Sequence, residues 1–368
     1  MIRIGIECES IEGPESWGIG RIIKKLLEEI TNRPELADEF RFFLYFKLCV
    51  PDLPFLNNPI FVKKAVGISS FSLYYYLFLP IKLWFERLDM MFFPNYMLPI
   101  LFRGKSLVML TEDIYYEINS GTLPWRYKLA YKIFANWAAK HATRIMTISE
   151  TSKREVARLF QIDHNRIMVN QLGVDKPKQI TDYILQISGD YVLYVGQAFP
   201  RRHLRETMLA FELIAGQFAD LKLITVGKDK YNPPIIKTLA QEINNRIGKE
   251  RIIYKEYASE DELVQLYAHA KLLVYVSSKE AFGLPPLEAL SYGVPAIVAD
   301  QKVTREIFGD NAFFVQNPDN LKLIADAIRI GLNNEQKCQE IKNSREDILK
   351  KYTWKEHMER FLRICRNF

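Results

Sequence analysis

The stretch that decides the fold is KLLVYVSSKEAFGLPPLEALSYGVPAIVAD, Lys271 to Asp300. Its opening run KLLVYVSS is apolar, β-rich and of strand length, and PAIVAD at its end repeats that character. Between them Pro285 and Pro286 suit the first turn of a helix, where no N–H is needed. The segment therefore predicts strand, helix, strand. Gly283 removes a side chain where something can approach the backbone, and the N–H groups after it form an anion site at the helix N-terminus.

Two carboxylates bracket this turn. Glu280 is expected at the end of the strand and Glu288 in the first turn of the helix, so both flank whatever the amides hold. A carboxylate only accepts hydrogen bonds, and neighbouring hydroxyls on a sugar or a ribose are natural partners. A sugar attached to a nucleoside diphosphate satisfies both kinds of group. A plainer account also fits: Glu288 complements the helix dipole, worth ~0.3–1 kcal/mol, and Glu280 is a solvated loop residue.

The same alternation runs outward from this unit. YVLYVG, LKLITVG, RIIYKEY and NAFFVQ read as further strands, separated by helical patterns in HLRETMLAFELI, near Ile235 to Arg246 and in DELVQLYAHA. In the first half IRIGIE, FRFFLYFK, DMMFF, SLVML and RIMTIS read as strands. Arg21 to Ile30 and Trp125 to Lys140 read as helices, and Ile22, Ile23, Leu26, Leu27 and Ile30 share one apolar face. Strands alternating with helices imply parallel sheets covered on both faces. The linker is expected in LGVDKPKQITD, Leu172 to Asp182. The predicted class is α/β, with two Rossmann-like, doubly wound domains, 1–174 and 175–352, facing across a cleft. The helical segment 353–368 is free to dock back on the first.

Composition excludes several functions. The chain has 368 residues, 48% hydrophobic and 26% charged, which is globular. Its net charge of +6 is spread evenly with no polybasic tail, so nucleic acid is a poor partner. Cys8, Cys49, Cys338 and Cys365 lie far apart without metal-ligand spacing and read as reduced packing residues. The opening MIRIGIE is a strand pattern rather than a signal peptide. The longest apolar run, Phe71 to Ile81, falls short of the ~20 residues of a membrane span. A cytoplasmic protein is expected. The aromatic segment from Ser69 to Lys105 carries Lys82, Arg87, Arg103 and Lys105 and suits either core packing or peripheral contact with the inner face of a membrane.

Ligands of open parallel sheets gather at the carboxyl ends of strands. After YVLYVG stand Gln197, Arg201 and Arg202. Paired guanidiniums there suit a diphosphate, although a solvated basic turn explains them too, and His203 reads as a capping or surface residue. The loops with Gly227, Lys228, Tyr257 and Ala258, and Leu263 beyond them, are candidates for a nucleobase. Near the N-terminus Gly18 and Gly20 fit G-x-G, but Ile23 occupies the third glycine position, which disfavours a nicotinamide dehydrogenase. SLVML ends at Glu112 and Asp113, placed to orient a substrate, to accept a proton, or merely to cap the next element.

Together these motifs resemble glycosyltransferase family 4, the retaining enzymes of the GT-B fold, over nearly the whole chain. Glu280 and Glu288 around FGLPPL match its E-x7-E signature, VGQAFPRRHL its glycine-to-basic loop, ISETSKREV its interdomain segment and LGVD the start of its linker. The resemblance implies that Glu280 contacts the donor sugar hydroxyls and Glu288 the ribose diol. It turns the backbone N–H groups of Phe282, Gly283 and Leu284 toward sugar and phosphate. Gly20 and Gln197 join the donor contacts, and Arg202, where the family usually has lysine, grips the diphosphate beside Arg201. Gln197 departs from the family's arginine and Glu112 from its histidine, so the histidine's role does not carry over. Glu112 then either adds negative charge near a developing cation or accepts a sugar hydroxyl.

The implied reaction moves a hexose from a nucleoside diphosphate to a hydroxyl of a glycan or lipid-linked sugar, with retention. The basic loop leans toward mannose from GDP-mannose. No D-x-D triplet occurs, so neither a metal nor another cofactor is expected. An epimerase or phosphorylase of the same fold, a glycosidase using the two glutamates, and a non-catalytic sugar-nucleotide sensor are the rival readings.

Overall fold

The computed structural model describes residues 1–13, 18–119, 125–178, 187 and 189–368. Glu15 to Trp17, and the expected linker beyond residue 178 as far as Asp182, lie outside the described residues. The chain divides into two compact units, Met1–Gly173 with Thr353–Phe368, and Val174–Tyr352.

The first unit is built on seven strands: β1 (Ile2–Glu7), β2 (Phe40–Phe46), β3 (Phe61–Ala65), β4 (Met90–Phe93), β5 (Ser106–Met109), β6 (Arg144–Thr147) and β7 (Ile167–Val169). Every pairing is parallel, in the order β3-β2-β1-β4-β5-β6-β7. The central strands are near-continuous apolar runs because helices cover both of their faces. β3 and β7 escape the sequence reading. β3 is an edge strand whose lysines, Lys63 and Lys64, hide its pattern, and β7 is only three residues long.

The helix Trp354–Arg366 belongs to this unit although it is last in sequence. Phe361 packs on Phe92 of β4 with ring centroids 5.1 Å apart, and His357 Nδ1 lies 3.0 Å from the Gln171 carbonyl. Arg366 grips Glu39 through two nitrogens, at 2.7 and 2.8 Å. The aromatic segment divides its residues: Tyr74, Tyr75, Leu79 and Leu83 are buried, whereas Leu73, Leu77, Phe78, Trp84 and Phe85 are exposed. Cys8 and Cys365 are buried as expected, whereas Cys338 is half-buried and Cys49 lies exposed in the stretch after β2.

The second unit holds six parallel strands: β8 (Tyr191–Val195), β9 (Lys222–Val226), β10 (Ile252–Lys255), β11 (Leu272–Tyr275), β12 (Ala296–Ala299) and β13 (Phe313–Val315). Their order is β10-β9-β8-β11-β12-β13. The chain reverses its direction of winding between β8 and β11. Loops leaving the two strands there depart to opposite faces and open a crevice at their carboxyl ends. That position brings the loop Gly196–His203 beside the loop Val276–Gly283.

Candidate functional site

The two loops are clamped through one carbonyl. Arg201 O accepts from the Ser278 N–H at 2.8 Å and from the hydroxyls of Ser278 and Ser277 at 3.2 and 3.3 Å. Gln301 Nε2 donates to Ser277 O at 2.9 Å, tying in the chain beyond β12. A basic loop is thereby fixed against an acidic one.

Glu280 lies within the second loop, past the end of β11 rather than at it. Its Oε1 accepts from Arg202 Nε at 2.9 Å and from the Tyr275 hydroxyl at 2.8 Å; its Oε2 takes no hydrogen bond among the described residues. The side chains of Arg202 and Glu280 are 18% and 11% exposed. Burial pushes the Glu280 carboxyl up, but Arg202, Arg201 and the two donated bonds outweigh it and hold the group below its ordinary value. Burial drives the Tyr275 phenol far above its usual range, so it remains a donor. Arg202 Nη1 also donates to Gln197 O at 3.2 Å, and its guanidinium lies 5.5 Å from the ring centres of both Phe199 and Tyr275. Arg201 stands over Phe199 at 4.5 Å.

The helix after this loop runs from Leu284 to Ser291 with Gly283 as its N-cap. Gly283 has φ +100°, a conformation L side chains rarely adopt, and a Cβ built there meets nothing within 4 Å. The space before the helix is open. Pro285 and Pro286 lack N–H groups, so the available donors are the amides of Phe282, Gly283 and Leu284, which make no hydrogen bond among the described residues. The Phe282 ring is buried edge-on to Tyr352, at 5.6 Å and 79°. Because the helix begins only at Leu284, Glu288 falls in its second turn, not its first. There its Oε2 accepts from the Tyr267 hydroxyl at 2.9 Å, and Tyr267 stacks on Tyr292 at 5.8 Å and 7°.

His203 departs from expectation. It occupies the N-cap position of the helix Leu204–Ala215 at φ +51°, yet its ring makes no cap bond and is buried. Gly227 is explained by the protein's own backbone: a Cβ there would lie 2.1 Å from Gly196 O, because the loops after β8 and β9 continue their pairing through Ala198 and Asp229. Lys228 and Tyr257 are exposed, Leu263 is half-buried and Ala258 is buried. Tyr257 and Ala258 follow the edge strand β10, so they stand at the far end of the row of loops from Glu280.

In the N-terminal unit Gly20 is buried in the first turn of the helix Ile19–Thr31, with Gly18 as its N-cap at φ +58°. Glu112 opens the helix Glu112–Asn119 after β5 and is buried. Its Oε2 accepts from the Ser152 hydroxyl on the helix Glu150–Phe160. Burial, reinforced by Asp113 and opposed by the Ser152 bond, raises its pKa to about 7. A carboxyl so placed is partly protonated at neutral pH and can donate as well as accept.

Tyr275 and Tyr267 carry no signal in the sequence. Each reads as an apolar position of a strand or helix, and only the packed structure brings its hydroxyl onto a glutamate.

Residues 176–347 match the family model described as glycosyl transferases group 1. The chain is 24% identical over 294 residues to the O-antigen chain mannosyltransferase RfbU of Salmonella typhimurium, covering 80% of this chain and 78% of that protein. It is 31% identical over 205 residues to O-antigen chain mannosyltransferase B of Escherichia coli, covering 53% of this chain and 52% of the relative. Among solved structures, WaaG, a glycosyltransferase involved in lipopolysaccharide biosynthesis, superposes with a TM-score of 0.74 at 16% identity, over the whole of both chains. The two doubly wound parallel sheets are the GT-B fold. The matched span and the relatives together support a GT-B glycosyltransferase.

Proposed function

We propose that the protein is a retaining glycosyltransferase of family 4, moving a hexose from a nucleoside diphosphate to a hydroxyl of a glycan or lipid-linked sugar. The observation that carries this reading is the open mouth of the helix Leu284–Ser291, where three amides that make no hydrogen bond among the described residues stand in one loop with Glu280, itself bonded to Arg202. The amides and the guanidiniums of Arg201 and Arg202 meet the diphosphate and stabilise its charge as it leaves, a form of help often worth ~10²–10³ in rate per donor. Glu280 accepts from the sugar hydroxyls and Glu288 from the ribose. Lys228, Tyr257, Ala258 and Leu263 bound the base. The mannosyltransferase activity for which the O-antigen relatives are named favours mannose as the sugar, and with it GDP as the carrier. With two guanidiniums and three amides to meet the charge of the diphosphate, the proposed reaction needs no metal.

A thermal-shift screen of GDP, UDP and ADP with their hexose conjugates tests the donor, since selective stabilisation reports binding to the folded state. Transfer of labelled mannose from GDP-mannose to lipid-linked glycan acceptors, with NMR of the new anomeric centre and an EDTA control, tests reaction, retention and metal independence. No stabilisation by any sugar nucleotide refutes the reading. Epimerised sugar formed without an acceptor replaces it with the epimerase.

We further propose that the protein meets an anionic lipid surface, where a lipid-linked acceptor would lie. The helix Trp125–His141 contains Arg126, Lys128, Lys132 and Lys140 and no acidic residue, and its exposed side chains include Trp125, Leu129 and Ile133. Apolar and basic groups on one exposed helix suit the boundary of an anionic bilayer. Among the described residues no helix is long and apolar enough to cross a membrane. Sedimentation with phosphatidylglycerol vesicles, absent with phosphatidylcholine and abolished by Leu129→Glu/Ile133→Glu, is the expected result; equal binding to both vesicles, or none, overturns the assignment.

A further inference from the structure

Arg202 is asked to do two things that compete. At present its Nε is bonded to Glu280 Oε1, yet a bound diphosphate draws the same guanidinium toward its oxygens. A carboxylate held by that contact alone is released just when its orientation matters. The second donor on the same oxygen is Tyr275, at 2.8 Å.

Tyr275 is well fixed for this task. It is the last residue of β11, 3% exposed, its ring stacked on Tyr194 at 5.9 Å and 29°. A Cβ built on Gly196 would lie 3.2 Å from Tyr275 Cε2, so the loop after β8 closes directly over the ring. The ring cannot swing away without disturbing the β8 loop, and the phenol carries no charge that a phosphate attracts. With Oε1 held by this hydroxyl, Oε2 remains available to hydroxyls of a ligand.

We propose that Tyr275 is a positioning residue that keeps Glu280 aimed at the donor sugar while Arg202 turns to the diphosphate. The inference rests on the donor reading given above. It concerns a strand residue outside the loop that supplies the glutamate, and it assigns the tyrosine an effect on the sugar half of the donor only.

The test is calorimetric binding of GDP-mannose, UDP-glucose and the free diphosphates to the full chain, wild type against Tyr275→Phe, Glu280→Ala and the double variant. Phenylalanine preserves the stacking, so the fold is expected to persist, which an unchanged melting profile checks. Tyr275→Phe is expected to leave the free diphosphate affinity within about twofold and to weaken the sugar nucleotide about tenfold, the scale of one hydrogen bond to a charged group. Added to Glu280→Ala, which leaves no side chain to aim, it is expected to cost nothing further, because it acts through the glutamate. The ionised carboxylate also loses a donor, so the acidic limb of sugar-nucleotide binding is expected to move to higher pH in Tyr275→Phe. Unchanged sugar-nucleotide affinity, equal loss of diphosphate and sugar-nucleotide affinity, or full additivity in the double variant overturns the proposal while leaving the donor reading intact. A wild type that binds no sugar nucleotide overturns both.

Discussion

Replacing Arg202 by methionine keeps most of the volume packed against Phe199 and Tyr275 but removes the cation. Glu280 is then a largely enclosed carboxylate with one neutral donor, Tyr275, in place of a neutral and a charged one. Breaking a buried pair from one side costs about 3–5 kcal/mol, and the residual exposure of these two side chains, 18% and 11%, argues for the lower end. For a unit of this size each kcal/mol moves the melting temperature by about 2–4 °C, so a fall of roughly 6–12 °C is expected at pH 7. The sign of the pH dependence also changes. In the wild type the folded-state carboxyl is held below its ordinary value, so Glu280 stabilises the protein above the unfolded pKa, and that stability is lost as pH falls through the folded one. Without Arg202, burial, the largest influence on this carboxyl, is expected to prevail over Arg201 and the one remaining hydrogen bond, so the group titrates above its ordinary value and the penalty is largest at neutral pH. The gap between wild type and variant therefore narrows as pH falls from 7 toward 4.5. Differential scanning fluorimetry across that range measures it. Arg202→Met/Glu280→Gln is expected to recover most of the loss, since neither charge is then left alone. A single variant that melts within a degree of wild type at pH 7, or a double variant no better than the single, refutes this account of the pair.

In Glu112→Gln the amide oxygen can still accept from Ser152, while the cost of ionising a buried carboxyl disappears. Because the folded pKa is raised to about 7, the variant is expected to gain on wild type as pH rises from about 4.5 to 7 and to level off above, which thermal melts over pH 4–8 would show. Gly283→Ala is strained by its backbone but clashes with nothing, so a loss on the order of 1–3 kcal/mol in chemical denaturation is expected. Gly227→Ala meets Gly196 O at 2.1 Å and should destabilise markedly more; the reverse ranking counts against the described loop geometry. Arg201→Ala is expected to weaken nucleoside diphosphate binding in calorimetry about tenfold or more, as loss of a charge-assisted contact does. EDTA is expected to leave sugar transfer unchanged, and lost activity restored by a divalent ion would show that a metal shares the charge on the diphosphate.

Much of the fold was legible because strand and helix periods are local. β1, β2, β4, β5, β6 and all six strands of the second sheet fall where apolar, β-rich runs of strand length predict them. β3 gives no strand signal because Lys63 and Lys64 mask an edge strand, and β7 gives none because three residues carry no period. Two prolines mark a first turn without fixing which residue begins it, so Glu288 falls one turn later than the sequence suggests. The loops bearing Glu280, Arg202 and Gly283 were legible as strand ends rich in charge and glycine. That Arg202 and Tyr275 meet on Glu280 was not, since the three stand on two loops and a strand.

The sequence by itself determined the alternation of strands and helices, and with it the parallel α/β class, the glycine and prolines that open a helix onto free amides, and the residues able to meet an anion. Only the tertiary structure decided that β8 and β11 lie side by side, that Arg201 clamps the two loops, and that Tyr275 and Arg202 converge on one oxygen of Glu280. The physical reason is range. Backbone preference and side-chain period act over a few residues, whereas the order of strands in a sheet is settled by which apolar faces bury together across the unit, and hydrogen bonds between loops follow from that order.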